Sequence, residues 1–319
     1  PIRAVAWSRD GKLLATAGDD QLVHTWRADG SGIEVLTGHK APVTGLAFGN
    51  GLDVISVSTD QTARDWNLAP EWKLAGQIGP KADAPLDLKQ SPFVDRVSAL
   101  AFSPDGKLLA TGGGDPSRSG QLMLWDVEKL TLVRDFKDAH SDVVMGIDFS
   151  RDGTKMASCG ADKFVRVFDP GTGKQIKSFE GHTNHVLDVA FKGDGVILAS
   201  SGADNAVKIW SLETGEQVRT IALFTKQATA LQFVGRTNTI IGCGGDATVR
   251  LINSDNAAQV RAFGGAGDYM YSVAATEDEK LVIAGGEDGI LRVWNLTDAK
   301  ALATFAPPKP STQMVGAQK

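Results

Sequence analysis

Residues Gly181 to Trp210 read GHTNHVLDVAFKGDGVILASSGADNAVKIW. The stretch opens on Gly181-His182, places apolar residues at Val186, Val189 and Phe191, and turns tightly through Gly193-Asp194-Gly195. A short apolar run from Ile197 to Ala199 follows, then a second turn at Asp204-Asn205, then a close on Val207, Ile209 and Trp210. Period-two apolar runs of about four to eight residues, punctuated by Gly and Asp turns, specify short strands joined by hairpins.

The rest of the chain is this unit again. The turn aspartate six residues before the closing aromatic recurs as Asp20, Asp60, Asp162, Asp204, Asp246 and Asp288, closed by Trp26, Trp66, Phe168, Trp210, Ile252 and Trp294. Asp115 holds the place in a lengthened copy that ends at Trp125, which makes seven units with spacings of 40, 55, 47, 42, 42 and 42 residues. A period of about 40–45 with a Gly-His start and a Trp-Asp end is a propeller signature. Gly38-His39, Gly181-His182 and Trp125-Asp126 carry it, with the turns Ser103-Pro104-Asp105-Gly106 and Ser150-Arg151-Asp152-Gly153. On these residues the chain resembles the WD40-repeat β-propeller family, including bacterial members of it, from residue 1 to about 306. Copies six and seven lack the His, and copy six also lacks the Trp.

The resemblance implies an all-β fold: a seven-bladed propeller, each blade a four-stranded antiparallel sheet. It forms a single domain over 1–306, with blades near 1–37, 38–78, 94–138, 139–180, 181–222, 223–264 and 265–306. Residues 79–93, rich in proline and polar groups, read as an inserted loop, and GGGDPSRSG at 112–120 is a second insertion within unit three. The tail 307–319 should be extended or disordered. Because the chain starts in the first strand of unit one and ends in the last strand of unit seven, side-chain packing rather than a shared strand should close the ring.

At 319 residues the chain can bury a large core, and radial repetition lets one domain reach this size. A net charge of −5 argues against a sequence-independent nucleic-acid binder, since phosphate contacts need clustered Lys and Arg. No apolar stretch approaches the roughly 18–20 residues of a membrane span. The compartment, cytoplasm or periplasm, stays open. Cys159 and Cys243 hold one repeat position in nonadjacent units, too far apart for a disulfide, and read as small buried hydrophobes.

A hydroxyl, a His and an Asp recur together: His39, Ser56 and Asp60 before Trp66; His140, Ser158 and Asp162; His182, Ser200 and Asp204 before Trp210. These are the residue types of a catalytic triad. The family uses the set instead as a buried hydrogen-bond network, and repetition favours that reading, because a scaffold needs the set many times and an enzyme once. Unit four ends in Phe168, which has no donor. Metal ligation has little support, with no CxxC or HExxH spacing and His182 and His185 in a turn, and no phosphate-cradling or haem-attachment motif occurs. No metal, no cofactor and no catalytic residue is expected.

What remains is surface. In the family the loops entering each innermost strand and the turns between second and third strands share one face, the top. Arg3, Lys40, Arg96, Asp115, Arg118, His185, Tyr269, Met270 and Tyr271 are the residues expected to bind a partner there. Tyr269 and Tyr271 are the two tyrosines of the chain, and aromatics and Arg anchor interfaces. The expected function is a non-catalytic, monomeric scaffold binding a protein or peptide through the top face, with no nucleic-acid or membrane partner. The alternative is an accessory domain of a larger enzyme or electron-transfer protein of the c-type cytochrome kind. A propeller hydrolase would need catalytic groups converging on the central channel, and the sequence shows none.

Overall fold

The computed structural model describes residues 1–49, 53–68, 73–79 and 91–306. Most of the loop expected at 79–93, and all of the tail expected at 307–319, lie outside the described residues. The described strands form seven four-stranded sheets, and in each sheet strands pair in chain order. The chain is a seven-bladed β-propeller of antiparallel blades. Blade five illustrates the unit, with strands Val186–Phe191, Ile197–Gly202, Val207–Ser211 and Gln217–Ile221 from the axis outward.

Burial follows position in the blade. The second strands, such as Leu13–Gly18 and Ile197–Gly202, are buried almost from end to end. Their mixture of Leu, Ala, Ser and Gly fits this, since both faces are covered by neighbouring blades and no side chain can be long on both. The outermost strands keep an exposed face, as at Ile176, Val218 and Val260. The core is therefore divided into layers between adjacent blades rather than gathered in one place. One layer packs Cys159, Val165 and Phe179 of blade four against Val186, Leu198 and Trp210 of blade five. Cys159 and Cys243 are both free and buried, in different layers.

The innermost strands carry the feature that shapes the top face. In every blade the register slips around the second residue of this strand: between Ile2 and Ala4, Val43 and Gly45, Val144 and Gly146, Val186 and Asp188, Ala228 and Ala230, Met270 and Ser272, and opposite Gly112 and Gly113 in blade three. The bulged residue leaves the ladder and its side chain is re-aimed. Those residues are Arg3, Thr44, Ser98, Met145, Leu187, Thr229 and Tyr271. The bulge also brings two backbones together: a Cβ on Gly113 would lie 1.9 Å from the carbonyl oxygen of Arg96.

Three bulged hydroxyls tie blades two, three and six to the blade that follows each. Thr44 Oγ1 donates to the carbonyl of Val97 (2.9 Å), Ser98 Oγ to that of Val144 (2.6 Å), and Thr229 Oγ1 to that of Met270 (2.7 Å). Lower in the channel wall, Asp148 accepts from the N–H of Phe191 (2.7 Å), Asp188 from that of Leu231 (2.9 Å), and Gln232 from that of Ala275 (2.8 Å). Among the described residues no strand is shared between blades one and seven. That seam packs Val5 and Leu14 on Ile283, Leu291 and Val293, and stacks Trp26 on Phe305 with ring centroids 5.7 Å apart.

Candidate functional site

Four of the seven bulged residues, Arg3, Thr44, Ser98 and Met145, meet at the top mouth of the channel. There a depression of about 630 Å³ is lined by Arg3 and Asp19 of blade one, Thr44 of blade two, Arg96 and Ser98 of blade three, Asp142 and Met145 of blade four, and His185 of blade five. Of the nine residues expected to bind a partner, Arg3, Arg96 and His185 line this depression.

Each is fixed differently. Arg3 donates twice to Asp19, at 2.6 and 3.0 Å, and its guanidinium lies 4.9 Å from the centroid of the Tyr271 ring. The Asp19 hydrogen bond outweighs burial and raises the Arg3 pKa, while Arg3 holds the Asp19 carboxyl below its usual range. Arg96 is half exposed and pairs with its neighbour Asp95 at 3.2 Å. His185 is exposed. The insertion of unit three leans over the same mouth: the N–H of Ser117 donates to Asp142 (2.8 Å), which also accepts from Val143 (2.8 Å), and Pro116 and Ser117 join the lining.

Tyr269 and Tyr271 form a pair beside Arg3, ring centroids 4.9 Å apart, with Tyr269 donating to Gln227 and Tyr271 to Glu287. Burial and the Glu287 hydrogen bond push the Tyr271 hydroxyl up to about 12, so it remains a donor at any ordinary pH. Met270 corrects the expectation: it is fully buried in the layer between blades six and seven and presents nothing to a partner. A bulge at Tyr271, between Met270 and Ser272, explains this, because it turns Tyr271 out of the ladder while the first residue of the strand stays in the core. Lys40 is exposed, and the Asp115–Arg118 ion pair (3.0 Å) sits on the insertion, but none of these three lines the depression.

The repeated His, Ser and Asp side chains meet in three blades. In blade five His182 Nδ1 lies 2.9 Å from Asp204, Nε2 lies 2.8 Å from Ser200 Oγ, and the indole of Trp210 donates to the same Oγ at 2.8 Å. Blade two repeats this with His39, Asp60 (2.8 Å), Ser56 (2.7 Å) and Trp66 (2.8 Å). Blade four places His140 against Asp162 (2.9 Å) and Ser158 (2.7 Å), with no indole behind. In blades two and five one proton arrangement links the set: Trp N–H to Ser O, Ser O–H to His Nε2, His Nδ1–H to Asp. In blade four Arg166 also lies 2.8 Å from His140 Nδ1. Burial lowers the pKa of His39, His140 and His182, which keeps each imidazole neutral as this requires. Burial works against ionising Asp60 and Asp162, yet hydrogen bonds from His39 and His140 prevail and hold both at about 2.

Ser56, Ser158 and Ser200 are each 0% exposed. The geometry is that of a triad, but each hydroxyl is sealed from solvent, and those of Ser56 and Ser200 already accept an indole N–H, so none meets a substrate. Among the described residues, no group of three or more His, Cys, Asp or Glu side chains is placed to hold a metal.

Two features escaped the sequence reading. A basic residue four positions after the turn aspartate pairs with it: His24 with Asp20 (2.7 Å), Arg166 with Asp162 (2.6 Å), Arg250 with Asp246 (3.2 Å) and Arg292 with Asp288 (2.6 Å). Aligning the copies on the Asp would have exposed that column. Blade six also replaces the polar set as a group, with Phe224, Gly242 and Ile252 standing where His182, Ser200 and Trp210 stand in blade five, all in one apolar layer around Phe224 and Ile252.

Seven antiparallel blades, layered cores and sealed His–Ser–Trp networks define a repeat propeller that presents loops on a rigid ring. A profile of the family described as "WD domain, G-beta repeat" matches residues 1–27, 90–126, 130–169, 173–211 and 258–295, and the chain belongs to this WD40 family. It is similar to telomerase protein component 1 of Mus musculus, 28% identical over 56% of this chain and 7% of that protein. It is also similar to the periodic tryptophan protein 2 homolog of Schizosaccharomyces pombe, 28% identical over 55% of this chain and 21% of that protein. WD repeat-containing protein 1 of Mus musculus is 26% identical over 56% of this chain and 28% of its own length. The chain thus aligns with less than a third of each of these relatives. No helix of the described residues is long and apolar enough to cross a membrane.

Proposed function

We propose that this propeller is a non-catalytic scaffold that holds a protein or peptide against its top face, in the depression between Arg3, Arg96 and His185. The observation that carries this reading is the depression itself, where the bulged residues Arg3, Thr44, Ser98 and Met145 of blades one to four meet Arg96 and His185 at the entries of their innermost strands. Rigid elements presenting varied side chains on a concave surface suit recognition. The mixture there of Arg, His, Asp, hydroxyls and Met145 suits a peptide that offers both charge and apolar bulk. Tyr269 and Tyr271 extend the surface toward blade six.

The test uses two baits against native lysate: the wild-type chain, and a variant carrying Arg96→Ala, His185→Ala and Tyr271→Ala. A protein retained by the first and lost by the second supports the top face. Identical recovery by both moves the site elsewhere on the ring. A second reading, an accessory domain of a larger protein, is favoured by the matched regions forming only 7%, 21% and 28% of those relatives. An intact mass well above that of these 319 residues for the native protein would support it.

A further inference from the structure

The opposite end of the channel holds a second cavity that the top-face reading does not use. Its volume is about 520 Å³, in the range of a small-molecule site. The floor is apolar, made by Trp7, Phe149, Phe191 and Phe233 where the innermost strands end. The rim is charged. Arg151, in the first turn of blade four, reaches Glu277 in the first turn of blade seven at 2.7 Å. Blades four and seven lie three steps apart, the greatest separation a ring of seven allows, so this ion pair straddles the mouth. Arg9 of blade one approaches the same carboxylate at 4.0 Å and donates to the carbonyl of Pro104 at 3.3 Å.

Two guanidiniums from different blades therefore converge on one carboxylate over an apolar floor. Of the turn aspartates nearby, Asp10, Asp105, Asp152 and Asp278 each accept from a hydroxyl of their own turn, and Asp194 from N–H groups of its turn and from Lys192. Asp148 lines the wall, but its carboxylate is taken by the N–H of Phe191. Trp7 lines the cavity with an indole N–H that finds no acceptor among the described residues.

We propose that the bottom mouth of the channel binds a small organic anion, a carboxylate or phosphate monoester on a ring-sized apolar body, with Arg9 and Arg151 taking the anionic group in the place that Glu277 occupies. The physical reasons are three. Arginine forks match the oxygens of carboxylates and phosphates. The Glu277 pair is half exposed and so weakly held, at side-chain exposures of 44% and 49%, which makes it easy to displace. The aromatic floor rewards an apolar body over a bare ion. Glu277 then acts as a built-in competitor.

Titration of the full chain with inorganic phosphate, phenyl phosphate and benzoate, followed by calorimetry and by the indole N–H resonances, tests this. Phenyl phosphate or benzoate should bind more tightly than inorganic phosphate and shift the Trp7 indole signal; the tighter of the two identifies the anionic group. Glu277→Gln should strengthen binding several-fold. Arg151→Met should weaken it about tenfold, the scale of losing a charge-assisted fork, and Lys226→Met, at an exposed position outside both cavities, should leave it unchanged. Both bottom-face positions are solvent-exposed turn residues, so the variants keep the fold. The proposal is overturned if neither wild type nor Glu277→Gln saturates up to about 10 mM, or if Arg151→Met binds as wild type does. It is equally overturned if inorganic phosphate binds as tightly as the aromatic anions.

Discussion

The guanidinium of Arg3 lies over the ring of Tyr271, 4.9 Å from its centroid, and joins the first strand of the chain to the last blade. Both are second residues of innermost strands, turned out of their ladders by the same bulge. In blades two, three and six that position supplies a hydroxyl that bonds to the next blade, through Thr44, Ser98 and Thr229. At the seam between blades seven and one a cation over an aromatic face stands there instead.

The seam should therefore be sensitive to its aromatic contacts. Phe305 stacks on Trp26 and covers Gly30, where a Cβ would lie 2.0 Å from the Phe305 ring. Phe305→Ala should lower stability by about 2 kcal/mol, the scale for uncovering a large apolar side chain. Leu302→Ala, in the same strand but 51% exposed, should change it by less than about 0.5 kcal/mol. Urea denaturation of both variants checks the ratio, and equal effects would contradict this account of closure.

The sealed networks predict a contrast between adjacent serines. Ser200→Ala strands both the Trp210 indole N–H and His182, and should cost about 1–3 kcal/mol. Ser201 is equally buried, but its hydroxyl finds no partner among the described residues, so Ser201→Ala should be neutral or stabilising. Thermal unfolding of the two variants side by side separates them.

The channel carboxylates predict a pH dependence of definite sign. Burial, with Asp188 adding a like charge, pushes Asp148 up to about 7, and burial does the same to Asp188. The unfolded carboxyl titrates near 3.9. Between about pH 4 and 7 the folded chain thus holds a proton that the unfolded chain has released, and stability falls as pH rises through that window. Asp148→Asn keeps an acceptor for the Phe191 N–H and cannot ionise. It should match wild type near pH 4 and exceed it by about 4 kcal/mol above pH 7, the gap between about 3.9 and about 7 at roughly 1.4 kcal/mol per pKa unit. The buried histidines act in the opposite sense, losing stability as pH falls below about 6.5, but they cancel in the difference between variant and wild type.

The bulge predicts an intolerant glycine. Gly113→Ala would press its Cβ to 1.9 Å from the Arg96 carbonyl oxygen. It should destabilise by about 1–3 kcal/mol, as overpacking does, and shift amide resonances at Arg96 and Ser98. A variant as stable as wild type with unchanged resonances at those positions would contradict the register.

The blade count and strand order were legible because the turn aspartate recurs at a fixed distance from an aromatic, and period-two patterning survives in the inner strands. Met270 was misplaced because apolar alternation does not reveal a bulge: one slipped residue moves a side chain from core to rim, and no residue type marks the slip. The basic residue four positions after six of the seven turn aspartates was present in the sequence as a column, Arg166, Arg250 and Arg292 among them, but it shows only when the copies are aligned. Blade six looked degenerate copy by copy. Its three substitutions are coupled through space, Phe224, Gly242 and Ile252 exchanging a polar network for an apolar layer.

The measurement that bears most directly on the proposed scaffold role is site-specific photo-crosslinking. One photoreactive residue replaces Thr59, which lines the top depression, and another replaces Lys107, on a first turn of the bottom face. A discrete protein or peptide adduct should form from position 59 and disappear when Arg96→Ala and His185→Ala are added, with none from position 107. Adducts from position 107 alone, or adducts at 59 that survive those changes, would rule out the top face as the binding site.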